Sequence, residues 1–111
     1  MPTVLQEITA VASTNAYQSL LKCRVPERTR CTLVLTNSHG TNDLKFKFLV
    51  SNSSGGVANS WAEEKGETTL AALSSTRYVL TGVFCWLDIQ IIDSSSGNHA
   101  TANVWVMAVG L

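Results

Sequence analysis

Charged residues are scarce in this sequence. Lysine, arginine, aspartate and glutamate make up 14% of its 111 residues, and the formal net charge is zero. Soluble domains average about 25% charged residues. A neutral, weakly charged surface has no electrostatic attraction for the dense negative charge of a nucleic acid. We therefore expect no nucleic-acid partner.

Long hydrophobic runs and a secretion signal are also lacking. No segment approaches the roughly 18 apolar residues that cross a membrane. The start, "MPTVLQEITAVAS", has no basic region followed by an apolar one. Hence we expect no membrane partner and folding in a reducing cytoplasm. There Cys23, Cys31 and Cys85 are expected to be buried, reduced thiols, and a Cys23–Cys31 disulfide is the alternative that their spacing leaves open.

Motifs of catalytic and metal sites are the third absence. His39 and His99 lie in turn-rich segments, and we expect both to be exposed. Neither is accompanied by a catalytic or metal-binding motif such as G-x-S-x-G or H-E-x-x-H. The acidic residues, Asp88 and Asp93 among them, are expected on solvated strands or loops. The cysteines do not have the spacing of metal ligands. We expect no enzymatic activity, no metal and no cofactor.

Alternation of apolar and polar residues is what the sequence has in abundance. In "DLKFKFLVS", Leu44, Phe46 and Phe48 alternate with polar residues, which predicts a half-buried strand. "RCTLVLTN" alternates in the same way, and "NSHGTND" between the two is rich in turn formers. The pattern predicts a β-hairpin over residues 30–51.

The same alternation predicts further strands along the chain. "TVLQEITAV" and "AYQSLLKCRV" are interpreted as two of them, and "WAEEKGETTLAALSS" as a loop followed by a short strand near residues 68–73. "FCWLDIQIID" and "TANVWVMAVG" are expected to form a final hairpin within residues 83–110. Eight or so short strands with polar turns predict an all-β single domain over residues 1–111. We expect an antiparallel β-sandwich, with a jelly roll as the first choice.

The last two predicted strands carry apolar residues on both faces. One face of each has a plain core pattern: Leu87, Ile89 and Ile91 on the first strand, and Ala102, Val104 and Val106 on the second. The opposite faces mix polar residues with Trp86, Trp105 and Met107. Because interface cores are enriched in Trp, Tyr and Met, either both faces are internal or the second face meets another protein. Trp61, beside a Gly- and Ser-rich loop, is a further contact candidate.

Basic residues are concentrated in the first half of the chain, whereas five of the eight acidic residues lie after residue 60. Neighbouring strands would bring some of the cations to one face. That face is either a solvated surface or a patch for an acidic protein partner, where charge sets register and association rate. The candidates are Lys22, Arg24, Arg28, Arg30, Lys45 and Lys47.

Three stretches carry a family resemblance: the start "MPT", the turn-rich "LTNSHGTNDLKF" and the segment "TGVFCWLDIQIIDSSSGNHATANVWVMAV". With them the chain resembles the small β-sandwich or jelly-roll decoration proteins of tailed bacteriophages, also called cement or staple proteins. The resemblance implies a non-enzymatic structural protein of the virion, made in the host cytoplasm and bound to the outer capsid surface. It implies the major capsid protein as partner, with neighbouring copies stapled together, and self-association as a homodimer or homotrimer.

Other expectations concern the N-terminus and the competing functions. An extended N-terminal arm, over about residues 1–8, would add as a strand to an exposed edge of a neighbour. A carbohydrate- or receptor-binding module of a phage tail or lectin is the alternative function, with Trp61, Trp86 and Trp105 as stacking platforms. A head-to-tail or tail-tube structural protein is a further alternative.

Overall fold

The computed structural model describes residues 2–24, 29–51, 61–80 and 86–110, and the side chains of residues 7–24, 31–51, 61–80 and 86–107. Eight β-strands account for most of these residues. The strands are β1 (Pro2–Ala12), β2 (Gln18–Arg24), β3 (Thr29–Asn37), β4 (Leu44–Ser51), β5 (Trp61–Leu70), β6 (Ser74–Leu80), β7 (Trp86–Asp93) and β8 (Thr101–Gly110).

The strands form two four-stranded antiparallel sheets that pack face to face. Sheet A has the order β1-β8-β3-β6, and sheet B has the order β2-β7-β4-β5. Successive strands cross from one sheet to the other at every step except β4 to β5. This strand order is that of an eight-stranded jelly roll. The expected all-β sandwich, built as one domain, is confirmed.

Two predicted hairpins are wrong in their pairing. The strands expected within residues 30–51 are present, but β3 lies in sheet A and β4 in sheet B. The strands of the final segment, β7 and β8, are divided between the sheets in the same way. A turn-rich connection such as residues 38–43 can cross the roughly 10 Å between packed sheets as readily as it can join neighbouring strands. Buried Asn37 holds this crossing, because its amide donates to the carbonyl oxygen of Asn42 at 2.8 Å.

The interpretation of residues 61–73 also needs correction. "WAEEKGETTL" is not a loop but the whole of β5, and the predicted strand near residues 68–73 ends in the turn to β6. The strand lies at the edge of sheet B and is exposed along most of its length. Charged side chains on an edge strand hinder pairing with other chains. The glutamates of this segment are therefore a property of its edge position.

The core lies between the sheets and is formed by the apolar side of each alternating strand. Phe46 and Phe48 are fully buried, and both rings contact Tyr78, with centroid separations of 6.0 and 5.1 Å. Burying such a side chain contributes about 1.5–3 kcal/mol. The predicted inward faces of the last two strands are confirmed, since each of these side chains is at most 1% exposed: Leu87, Ile89, Ile91, Ala102, Val104 and Val106.

Two of the expected thiols and the N-terminal stretch can be placed. Cys23 and Cys31 are buried and free, and burial raises the pKa of their thiols to about 11 and about 12. Cys85 lies outside the described residues. The stretch expected as an extended arm falls, for residues 2–8, within β1, which pairs with β8 of the same chain. It therefore completes the edge of its own sheet A.

Candidate functional site

The outward surfaces of the two sheets differ in chemistry. Face A is the outward surface of sheet A and face B is that of sheet B. The described side chains of face A are Glu7, Thr9, Thr32, Val34, Thr36, Ser75, Arg77, Val79, Asn103, Trp105 and Met107. Face B is formed around Ser19, Lys22, Arg24, Lys45, Lys47, Leu49, Glu63, Glu67, Trp86, Asp88, Gln90 and Ile92.

Face A exposes two large apolar side chains, one on a central strand and one on an edge strand. Trp105 on β8 is 50% exposed and Val79 on β6 is 49% exposed. Strand register aligns Trp105 with Val34, and Met107 of the next row with Thr32. Contiguous exposed apolar surface on a small protein marks an interaction site more often than scattered single residues do.

A shallow depression of about 210 Å³ lies beside Trp105, lined by Thr9, Val34, Thr36, Asn103, Val104 and Trp105. Its polar side chains are largely satisfied within the chain. The Asn103 side-chain oxygen accepts from the Ala10 backbone N–H at 2.8 Å, and its amide donates to Ser38 at 3.0 Å. The Thr36 hydroxyl shares a 2.8 Å hydrogen bond with Ser75. The depression therefore offers an occupant mainly apolar contact.

Ala10, whose backbone N–H binds Asn103 beside the depression, has an unusual backbone conformation. Its φ is 55°, in the left-handed region that non-glycine residues rarely adopt. The register of β1 against β8 shifts between Ile8 and Val11, which identifies a β-bulge there. The hydrogen bond to Asn103 anchors the bulge, so the edge of face A next to the depression has a defined shape.

Face B is covered by a network of its own side chains. The Tyr17 hydroxyl donates to a Glu67 carboxylate oxygen at 2.6 Å, and Lys45 lies 3.3 Å from the same carboxylate. The ammonium group of Lys47 lies 4.1 Å from the centre of the Tyr17 ring. Burial, with the Glu67 carboxylate beside it, raises the pKa of Tyr17, and the hydrogen bonds from Tyr17 and Lys45 lower the pKa of Glu67.

Asp88 of face B is buried, contrary to the expectation of a solvated carboxylate. It is 4% exposed, and the Ser19 hydroxyl and the Gln90 side-chain amide both donate to it. Lys22 pairs with it in strand register on β2. Satisfied polar groups of this kind hold strands in one register, because an unpaired buried carboxylate would be costly. Asp88 therefore stabilises sheet B.

Asp93 is the second buried acid, and it lies at the end of the sandwich where β7 leaves sheet B. Its side chain is 1% exposed and accepts from the Ser13 hydroxyl at 2.5 Å and from His99 Nδ1 at 2.9 Å. Burial opposes the charged form, but the hydrogen bonds from Ser13 and His99 outweigh it and lower the pKa of Asp93. Ser13 also accepts from the Ala100 backbone N–H. The cluster ties the β1–β2 connection to the β7–β8 connection.

The histidines serve connections between strands. His99 is exposed, as expected, and its contact with Asp93 is the one described above. His39 is half-buried rather than fully exposed, and its Nδ1 accepts from the backbone N–H groups of Thr41 and Asn42. The Ser13 hydroxyl donates its hydrogen bond to Asp93 and not to a histidine. The imidazole of His99 is therefore not placed to remove the proton of the Ser13 hydroxyl. This arrangement lacks the nucleophile–base contact of a hydrolase triad.

The three tryptophans that the sequence predicted as contact residues lie on two different sheets. Trp61 and Trp86 flank Ser51 in one register row of sheet B, and Arg24 ends that row on β2. The Lys22 ammonium group lies 5.3 Å from the centre of the Trp61 ring. Trp105 lies on the opposite side of the sandwich, on face A. A single stacking platform built from all three indoles is therefore excluded by the fold.

The remaining predicted contact residues divide in the same way. Met107 is half-buried on face A, whereas Lys45 and Lys47 lie in the covered network of face B. Arg30 lies in β3 opposite Val109, in sheet A. Arg28 lies outside the described residues. The basic residues of β2 and β4 share face B but are separated by β7 and accompanied by acidic residues.

Sequence reasoning missed two charged residues of face A. Glu7 on β1 and Arg77 on β6 end the register row that contains Trp105 and Val34. Both are exposed, and neither forms an ion pair with another described residue. Each is a single charge on a strand with few others, so only the strand order reveals that they share a row.

Neither a metal site nor a membrane-spanning helix is found in the part of the chain that the structure describes. No group of three or more His, Cys, Asp or Glu side chains among the described residues is placed to hold a metal ion. None of these residues belongs to a helix that is long and apolar enough to cross a membrane.

Comparisons with known proteins show similarity in fold. No protein-family model and no curated protein sequence matches the chain. Among solved structures, the VP2 subviral particle of infectious bursal disease virus is similar with a TM-score of 0.52 and 15% identity over 96% of this chain and 32% of that one. A Bacillus endospore appendage, described as a disulfide-linked pilus, has a TM-score of 0.56 and 14% identity over 97% of this chain and 87% of that one.

A tripeptidyl peptidase 2 structure is also similar, with a TM-score of 0.61 and 15% identity over 91% of this chain. The chain spans 9% of that peptidase and about a third of the viral protein. At these identities the likeness is one of fold. The chain thus has the β-sandwich found in a viral capsid protein and in a pilus.

Proposed function

We propose that the protein is a structural component of a virion that binds the outer capsid surface and staples neighbouring major capsid proteins. The observation that carries the proposal is the contrast between the two sheets. Face B carries a network of one ion pair, a cation–π contact and side-chain hydrogen bonds, whereas face A leaves Trp105 and Val79 half exposed. In this proposal face A makes a protein contact that keeps the protein in the assembly. The proposed role is structural and not enzymatic.

The chemistry of face A suits a protein partner. An exposed tryptophan with valine and methionine beside it resembles the centre of an interface. Two of the three polar side chains that line the depression, Thr36 and Asn103, already have partners in the chain. This disfavours a sugar, because a sugar needs free donors and acceptors. The similarity to a capsid sandwich supports the same class of function.

A staple stabilises a shell by mass action, since a protein that binds only the assembled state shifts the equilibrium toward it. Stapling also gains from effective concentration, because the second contact of a bivalent protein is intramolecular. The predicted contacts Arg24, Trp61 and Trp86, which share one register row at an end of sheet B, remain candidates for direct contact with the shell.

The test is particle association in the host that produces the virus. Tagged full-length protein is followed through a density gradient of particles, together with Trp105→Ser and a control, Leu73→Ser. Leu73 is 71% exposed and lies in the β5–β6 turn, beyond the end of the face A strand β6. We expect wild type and Leu73→Ser to migrate with particles and Trp105→Ser to be reduced at least tenfold. Absence of the wild-type protein from particles would overturn the proposal.

The pilus similarity supports a second candidate, a repeated subunit of an extracellular fibre. It covers 87% of the pilus chain, so one sandwich makes up most of that subunit, as it does here. The buried, weakly acidic thiols of Cys23 and Cys31 do not favour disulfide links between subunits. Electron microscopy of the purified protein distinguishes the two, because fibres that persist without particles would favour the pilus type.

A further inference from the structure

We propose that face A binds a second copy of the chain, about a two-fold axis parallel to the strands, with Glu7 of each copy meeting Arg77 of the other. The inference deepens the proposed function and rests on it in one respect, that face A meets protein. A dimer of this kind would carry two identical surfaces to two neighbouring shell subunits, as a staple requires.

The first argument is the order of residues along one row. Glu7, Trp105, Val34 and Arg77 follow one another across β1, β8, β3 and β6. They are the acidic edge, the apolar centre and the basic edge of face A. Glu7 and Arg77 are the only charged side chains that the structure describes on this face. Three strand spacings, about 14 Å, separate them, which is too far for an ion pair within one chain.

The second argument is the symmetry that this order permits. A two-fold axis parallel to the strands, placed between β8 and β3, lays β1 of one copy over β6 of the other. Each Glu7 then faces an Arg77, and each Trp105 faces a Val34. An axis perpendicular to the strands would lay Glu7 on Glu7 and Arg77 on Arg77. Only the first arrangement is self-complementary, as an isologous interface must be.

The third argument is the available area. Four strands spaced by about 4.8 Å, each roughly 30 Å long, make a face of about 550 Å². Two such faces bury about 1,100 Å², near the lower end of the range for specific interfaces. Sheets packed face to face also keep their strands nearly aligned, within about 30°, as this axis requires. An area of this size is typical of a weak, reversible dimer.

Sedimentation velocity over a dilution series of the full-length protein is the first test. We expect Glu7→Arg and Arg77→Glu each to weaken the dimer at least tenfold, because each sets like charges against each other twice. The double variant should return to within about threefold of wild type, since the pairs are restored in reverse. Glu64→Arg, an exposed charge reversal on sheet B, is the matched control and should match wild type. A wild-type monomer up to millimolar concentration, or a double variant as weak as the singles, would overturn the inference.

Cross-linking identifies the axis. In Arg77→Lys, which keeps the charge, a carbodiimide should join Glu7 of one copy to the introduced lysine of the other. Mixing ¹⁴N- and ¹⁵N-labelled protein shows by mass spectrometry whether the link is between chains. Links from Glu7 to lysines of face B instead would contradict the proposed axis. A dimer that never joins particles would overturn the proposed function but leave this inference intact. Particle binding by a protein that stays monomeric would overturn this inference but leave the proposed function intact.

Discussion

Faces A and B belong to four-stranded sheets of one sandwich, yet they differ in how far their polar side chains are paired within the chain. Face B brings Tyr17, Lys45, Lys47 and Glu67 into mutual contact, and it buries Asp88 under hydrogen bonds. Face A has hydroxyl and amide groups that are paired locally, a half-exposed tryptophan, and two charges without described partners. Much of face B is satisfied within the chain, although Arg24 and Glu63 have no described ion-pair partner, whereas neither charge of face A has one.

The difference shows where stability and association are separated in this molecule. Side chains that bond to each other across strands contribute to folding, because their partners are present in every folded copy. Side chains that are exposed and unpaired contribute little to folding and are available to a partner. Substitutions on face B should therefore lower the free energy of unfolding, and those on face A should change assembly.

The largest effect on stability is expected for Asp88→Ala on face B. The variant removes a buried carboxylate and the two hydrogen bonds donated to it by the exposed Ser19 and the half-buried Gln90. Hydrogen bonds to a charged group are the stronger ones, so we expect a loss of about 2–3 kcal/mol. Urea unfolding measures the change. Glu63→Ala, an exposed acid on the same face, is the control and should remain within about 0.5 kcal/mol of wild type. A loss as small for Asp88→Ala as for the control would show that face B is not held by this network.

Asp93→Asn should have the next largest effect, and that effect depends on pH. The pKa of Asp93 is lowered in the folded state, so its stabilisation is complete above the unfolded value of about 3.9 and disappears as pH falls toward the folded pKa. We expect a loss of about 1.5 kcal/mol at pH 7. Unfolding curves at several pH values should show wild type and variant converging below about pH 4. A constant difference would contradict the sign of the shift.

Lys45→Met should be milder, because its ion pair with Glu67 is partly exposed, with side chains 34% and 49% accessible. Such pairs contribute about 0.2–1 kcal/mol and are screened by salt. A double-mutant cycle with Glu67→Gln isolates the coupling energy. It should be present at low ionic strength and vanish near 1 M salt, and a coupling that persists would assign it to packing instead.

Trp105→Thr should have the smallest effect on folding. The indole is half exposed, and threonine suits a strand, so the free energy of unfolding of the monomer should change by less than about 0.5 kcal/mol. Association should nevertheless fall at least tenfold in sedimentation velocity. If stability and association fell together, the two faces would not differ as described.

The inward faces of the strands were predictable because burial imposes a period of two. Leu44, Phe46 and Phe48 alternate with polar residues, and all three are buried. The pairing of the strands was not predictable, because the connection at residues 38–43 has the length and composition of either a hairpin or a crossing. The edge strand β5 was missed because its glutamates suit an edge and resemble a loop.

The candidate site was only half visible in the sequence. Trp105 and Met107 stand out as large side chains on the face opposite the core pattern. Glu7 and Arg77 do not stand out, since each is one charge on an otherwise ordinary strand. The burial of Asp88 and Asp93 was also unforeseen, because their donors Ser19 and Ser13 lie on distant parts of the chain.

The sequence by itself determined that most of the chain forms β-strands and which side of the alternating strands is removed from water, because apolar alternation leaves one solution for each of these strands. The tertiary structure decided which strands are neighbours, and therefore what shares a face. The residues that face solvent follow no hydrophobic pattern. Which of them are neighbours in space therefore depends on strand order alone. That order places Glu7, Trp105 and Arg77 in one row on face A.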